Sequence, residues 1–313
     1  MKQGITILTV NWYSSEMIRD LIVNLNTTCS KTIPIQYLII DNTNGSDTEI
    51  TELSNTAPSV KILKKNPGNL KNLRAHAAGL NYGLTHIKTE FLLITDPDIY
   101  IFKNNWDTFL IEESKESDLD AIGTAFPSWW LGTYHNFPSP IFCFIKTAII
   151  QKTNENPAAT SEIQNYWMPP PKNPLIRFRN LILRQILRAA FLFNRRTLIH
   201  YPFFRILTSY LEKKIPVCTL DTGYPLSRKA DKENWKIKTF EAIYPDSKII
   251  TGQKNRNSIS KLAEQYELYV HNSEIILTHQ YGSQNFLLKT KEGKNRDLWK
   301  QLIKNLIQNP SSF

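Results

Sequence analysis

The residues with the plainest chemical purpose are Asp96 and Asp98, set in the stretch "FLLITDPDIYIF" from Phe91 to Phe102. Side chains two apart on an extended backbone share a face. Two carboxylates beside a buried strand repel one another unless something cationic lies with them. The proline between them ends the hydrogen-bonded ladder and lets the chain turn out at the edge of a sheet. Hard oxygen ligands of this kind suit Mg2+ or Mn2+. Other polar residues stand at the ends of apolar runs: Asn11 after "ITILTV", Asp41 closing "IQYLIID", Asp221 after "PVCTL" and His279 closing "IILTH".

Those runs belong to a regular alternation. "ITILTV" has a buried-strand pattern, and "SSEMIRDLIVNLNTT" has helical periodicity with Ser14 or Ser15 as N-cap. A second strand, "IQYLIID", leads through the turn "NTNGSD" to a third, "VKILKK". The loop "NPGN", a helix through "LRAHAAGLNYGLTH" and the strand "FLLIT" complete the first hundred residues. Strands alternating with helices imply a parallel sheet covered by helices, which binds ligands beyond the carboxyl ends of its strands. Asn11, Asp41 and Asp96 each stand at or just past such an end and are expected to face one crevice.

Composition excludes a disordered chain: 313 residues, 41% hydrophobic and 21% charged, provide for one large domain or one and a half. Cys29, Cys143 and Cys218 form no CxxC pair and no disulfide framework, which favours a cytosolic location. The start "MKQGITILTV" lacks a cleavable signal pattern, and no run is long and charge-free enough to predict a membrane span.

The net charge of +10 is concentrated in one place, with ten Lys or Arg between Lys172 and Lys214 against the single acid Glu212. Within it, "NPLIRFRNLILRQILRAAFLFNRR" predicts a helix with Asn173 as N-cap and Pro174 in its first turn. At 100° per residue, Arg177, Arg184, Arg188 and Arg195 fall within about 20° of one line, with mostly aliphatic and aromatic residues around the rest. Such a helix would lie in a membrane interface with its arginines at anionic headgroups. The alternative is a helix packed on the domain with an exposed arginine face. A nucleic-acid partner would also suit the charge, but large aliphatic residues interleave it and no recognised nucleic-acid motif is present.

The chain resembles the family-two glycosyltransferases of the GT-A fold, some of them rhamnosyltransferase-like, over roughly residues 1–110 and more loosely to about residue 285. The matching pieces are "ITILTVNW", "YLIIDNTNGSD", "NPGNLKNLRAHAAGLNYGL" and "DPD" as the DxD motif. The resemblance implies an α/β fold: a Rossmann-like mixed sheet flanked by helices, here with a basic amphipathic helical insertion. It also implies a nucleoside-diphosphate sugar as donor and Mn2+ or Mg2+ as cofactor. By the same resemblance Asp98 holds the metal, and Asp96 contacts the ribose or supports the metal. Asp41 bonds the base, Val10 and Asn11 line the base pocket, Asn66 belongs to the donor loop, and Arg74 and His76 lie near ribose or phosphates. His279, in "THQYGSQN", answers to a histidine that helps hold metal or diphosphate.

An inverting transferase needs a carboxylate to take the acceptor's proton. Asp221 is the first candidate, although Asp-Thr-Gly stands here where the family carries an acidic pair, and Glu241 and Asp246 are the alternatives. Trp129, Trp130 and Tyr134, in an aromatic-rich stretch, are candidates for stacking on an acceptor; core packing explains them equally well. The expected organisation is a nucleotide-sugar-binding part over 1–153, a membrane- or acceptor-proximal insertion over 154–215, and an acceptor-binding and catalytic part over 216–313. The expected function is transfer of a hexosyl or deoxyhexosyl group to a saccharide or polyprenyl-linked acceptor, by a cytoplasmic protein held peripherally at the membrane. A haloacid-dehalogenase-type phosphatase also carries a strand followed by DxD. That family places the motif near the start of its domain, with Thr or Val where Tyr100 stands here. A non-catalytic basic binding protein leaves the DPD and His279 contexts unexplained.

Overall fold

The computed structural model describes residues 1–56, 59–70, 73–128, 130, 133–154, 222–251, 256–280 and 296–308, with 174, 175, 178, 179, 182, 203, 206 and 210. The chain divides into two compact units. The first takes in Met1–Ala125, Asn136–Met168 and Leu220–Thr239; the second takes in Phe126–His135, Pro169–Thr219 and Phe240–Phe313.

The first unit is a mixed α/β layer structure. Its sheet runs β3 (Val60–Lys64), β2 (Ile35–Asp41), β1 (Lys2–Asn11), β4 (Thr89–Thr95), β7 (Phe142–Lys146), β6 (Ala121–Thr124). The first four strands are parallel, as the alternation predicts; β7 is antiparallel to both β4 and β6, which makes the sheet mixed. β1, β2 and β4 are buried along nearly their whole length, because helices cover a parallel sheet on both faces. Helix α1 (Ser15–Thr28) buries Ile18, Leu21, Ile22 and Leu25, the spacing of one helical stripe.

Helix α2 (Thr48–Thr56) follows the turn after β2, and α4 (Trp106–Glu116) follows β5 (Ile99–Ile101). Neither stands out as a periodic apolar run.

Helix α3 (Leu73–Leu84) lies on β1 and β2. Gly79 and Gly83 allow that approach: a Cβ at 79 would stand 3.1 Å from Asn42 and Val10, and one at 83 would collide with Leu8. After α5 (Thr147–Asn154) the description resumes with α6 (Tyr224–Glu233).

The second unit carries the end of β8 (Ile237–Ala242) paired antiparallel with β9 (Glu267–His271), which forms a hairpin with β10 (Glu274–His279). The turn residues Asn272 and Ser273 are both left-handed, at φ 48° and 67°, as a two-residue hairpin turn requires. Helices α7 (Lys248–Thr251), α8 (Arg256–Gln265) and α9 (Arg296–Ile307) complete it. Ile259, Leu262 and Ala263 of α8 and Trp299, Leu302, Ile303 and Leu306 of α9 are buried where these two helices meet. Among the described residues no helix is long and apolar enough to cross a membrane.

Candidate metal and nucleotide site

The chain at Asp96–Asp98 is suspended between two anchors. On one side Thr95 Oγ1 and the Asp96 amide both donate to the carbonyl of Ile141, at 2.9 and 3.2 Å. On the other, the buried Asn24 of α1 substitutes for a neighbouring strand. Its Nδ2 donates to the Ile101 carbonyl at 3.0 Å, and its Oδ1 accepts from the Ile101 amide at 2.7 Å. Strand β5 is thereby fixed to α1 just beyond the DPD corner. Asp98 is buried, while the Asp96 side chain is about a quarter exposed. His76, in the first turn of α3, brings Nε2 to 3.6 Å from Asp96 Oδ1.

Asp41, at the end of β2, has a different environment. It is fully buried, and its carboxylate accepts from Asn11 Nδ2 at 3.0 Å, the Thr43 amide at 3.1 Å, Thr43 Oγ1 at 2.6 Å and the Gly45 amide at 2.8 Å. Asn11 Nδ2 also reaches Asp47 Oδ2 at 3.1 Å, and Asn11 Oδ1 accepts from the amide and hydroxyl of Ser14. The residues at the ends of β1 and β2 therefore form a closed network that shapes the turn over 42–47. Val10 is buried under α3 and can offer a ligand only its backbone. Asn66 is exposed and holds its own loop, its Oδ1 accepting from the Gly68 amide at 2.8 Å. Arg74 is exposed in the first turn of α3.

In the second unit His279 closes β10 and is buried at 5% exposure. Its Nδ1 lies 2.8 Å from Glu267 Oε2, and the Tyr269 hydroxyl donates to the same oxygen at 3.0 Å. Asp96 and Asp98 of the first unit each offer a carboxylate oxygen, and His279 of the second offers an imidazole nitrogen. Two carboxylate oxygens and one imidazole nitrogen are a donor set that fits Mn2+ or Mg2+, with the remaining positions left to water or phosphate.

The aromatic stretch has a packing role. Tyr134 is 2% exposed and meets Phe126 edge-on at 5.0 Å, and Trp130 stacks on Phe126 at 5.6 Å. Tyr134 is therefore packed in the core, the alternative that the sequence allowed equally. Glu241 and Asp246 are exposed. Asp221, Trp129, Arg177, Arg184, Arg188 and Arg195 lie outside the described residues.

Trp12 and Tyr13, just past β1, did not stand out in the sequence. They are half-exposed, pair edge-to-face at 5.3 Å, and Tyr13 is left-handed at φ 52°. Asn24 and Glu267 were also missed; the end-to-end spacing of Glu267 and His279 around "HNSE" was the available sign of a hairpin partner.

No family model and no curated protein matches the chain. Among solved structures it is similar to the mannosyltransferase PcManGT from Pyrobaculum calidifontis in complex with GDP-Man and Mn2+, at a TM-score of 0.41 and 13% identity, covering 74% of this chain and 76% of that one. It is also similar to S. aureus TarS 1–349, at 0.36 and 14%, covering 51% and 54%. At these scores the likeness assigns no activity to the chain.

Proposed function

We propose that the protein is a metal-dependent, inverting glycosyltransferase of the GT-A type. It would move a hexosyl or deoxyhexosyl group from a nucleoside-diphosphate donor to a saccharide or lipid-linked acceptor at the cytoplasmic membrane surface. The observation that carries this reading is the pair of carboxylates at the DPD corner, with Asp98 buried and Asp96 about a quarter exposed and 3.6 Å from His76 Nε2. A divalent cation bound there would offset the charge that builds on the diphosphate leaving group. Asp98 and His279 hold that cation, and Asp96 supports it or meets the ribose. His76 and Arg74 face the phosphates from α3. The turn held by Asn11 and Asp41, with Val10 and Asn66, shapes the nucleoside pocket. Asp221 takes the proton of the acceptor hydroxyl, and Trp129 and Trp130 line the acceptor.

Membrane contact is supported by exposed apolar side chains in the basic segment: Leu175, Phe178 and Ile182 at helical spacing, then Phe203, Ile206 and Tyr210. Large apolar groups facing water beside a surplus of positive charge suit an anionic lipid surface.

A thermal-shift screen of UDP, dTDP and GDP sugars, with and without Mn2+, tests the donor reading. A ligand that binds the folded state at a hundred times its Kd adds about 2.7 kcal/mol of stability. At least one donor should raise Tm by several degrees, and more with Mn2+ than without. If no nucleotide or nucleotide sugar moves Tm under either condition, the transferase reading fails.

A further inference from the structure

The hairpin of the second unit contains a buried polar arrangement that the proposed reaction leaves unexplained. Glu267 is 1% exposed and begins β9; His279 ends β10 and stands directly opposite it. That pairing depends on an irregularity. From the turn, Glu274 pairs with His271 and Ile275 with Val270, but beyond Ile276 the register moves by one, so that Leu277 meets Tyr269, Thr278 meets Leu268 and His279 meets Glu267. Without the extra residue Thr278 would face Glu267, and the imidazole would have no cross-strand carboxylate. The shifted register is itself held: Thr278 Oγ1 donates to the Glu267 carbonyl at 2.8 Å, and Trp299 Nε1 of α9 donates to Thr278 Oγ1 at 3.4 Å.

A buried carboxylate is costly unless hydrogen bonds and positive charge compensate it. Here one oxygen of Glu267 accepts from the Tyr269 hydroxyl at 3.0 Å and lies 2.8 Å from His279 Nδ1; an ionised carboxylate can only accept, which puts the proton on Nδ1. Because Nδ1 carries the shared proton, the ring's other nitrogen, Nε2, is the one with a lone pair to give. A carboxylate in this position also makes the imidazole a stronger donor towards a cation.

We infer that Glu267 is a positioning residue: it fixes the tautomer and angle of His279 so that Nε2 is the metal-ligating atom, with Tyr269 steadying the carboxylate. This rests on the metal reading proposed above, and on geometry contained wholly within the second unit. It adds to the site a carboxylate that touches neither metal nor substrate.

The test uses the full-length protein with Mn2+ as probe. Metal affinity is measured by titration calorimetry, and the His279 tautomer by long-range proton–nitrogen NMR of the metal-free protein. Wild-type protein should show His279 protonated at Nδ1. Glu267→Gln keeps the shape and removes the charge, and should weaken Mn2+ binding by roughly 10- to 100-fold with metal-free nucleotide binding unchanged. Tyr269→Phe removes only the second hydrogen bond and should weaken it by roughly 2- to 10-fold; it also serves if Glu267→Gln does not fold. An Nε2-protonated His279 in the wild type overturns the proposal. So does Mn2+ affinity unchanged in both variants while the wild type binds Mn2+. If the wild type takes up no Mn2+ while showing the Nδ1 tautomer, the metal reading itself has failed, and the positioning role falls with it for a distinguishable reason.

Discussion

Aspartate closes two parallel strands of the first unit, and the two strand ends have opposite characters. At the end of β2, Asp41 is fully buried and accepts four hydrogen bonds from its own turn and from Asn11. Just past the end of β4, Asp98 is buried and Asp96 is about a quarter exposed, with His76 Nε2 at 3.6 Å. The first carboxylate is neutralised by donors that the chain supplies. Asp96 and Asp98 stand two residues apart at one strand end, where a bound cation would reduce the repulsion between their charges. Position at a strand end is thus a weak sign of ligand chemistry. The surroundings of the carboxylate decide whether it holds a turn or a ligand.

Substitutions at the two ends should separate these roles. Asp98→Asn should cost the most function: loss of a ligand that helps offset several kcal/mol of leaving-group charge lowers Mn2+-dependent turnover by on the order of 10³-fold, while the denaturation midpoint of the metal-free protein holds or rises as repulsion is relieved. Asp41→Ala should do the reverse, lowering stability by about 3 kcal/mol because it strands several buried donors, with Mn2+ affinity in the absence of nucleotide unchanged when read by calorimetry. A collapse of Mn2+ affinity in Asp41→Ala would erase the distinction between the two ends.

Asn24→Ala lies between these cases. It removes both hydrogen bonds that fix β5, and should cost about 2 kcal/mol by urea denaturation together with a smaller loss of Mn2+ affinity, since Asp98 is no longer held from its far side. The least effect is expected in the middle of the same strands. Cys143 pairs with Ile94 in the sheet interior, and burial pushes its thiol up to about 12. At pH 8 on the order of one such thiol in ten thousand is thiolate, so iodoacetamide should leave Cys143 unmodified in the folded protein and alkylate it in denaturant.

Much of the first unit was legible because parallel strands buried on both faces read as continuous apolar runs. "IQYLIID" is β2 from end to end, and the β1, α1, β3, α3 and β4 segments fall within a few residues of the observed elements. The DPD corner past β4 and the strand that His279 closes were legible from the DPD spacing and from the apolar run before His279. Other features were not. The reversal of β7 depends on which strands meet, which local periodicity does not encode. The closed network around Asp41 depends on backbone amides that a sequence does not display. The pairing of Glu267 with His279 required a bulge, and a single extra residue exchanges which side chains face each other. The aromatic cluster was ambiguous for a related reason: Tyr134 has the same composition signal whether it faces a sugar or packs on Phe126.

The central claim is that Asp96, Asp98 and His279 together hold the cation that a nucleoside diphosphate requires. Its most direct test is calorimetric titration of Mn2+ into wild type, Asp98→Asn and His279→Ala, each with and without the nucleoside diphosphate selected by the thermal-shift screen. The account predicts one Mn2+ site in the wild type, tightened by the nucleotide and strongly weakened in both variants. Equal Mn2+ affinity in all three proteins, or nucleotide binding indifferent to Mn2+, would contradict it.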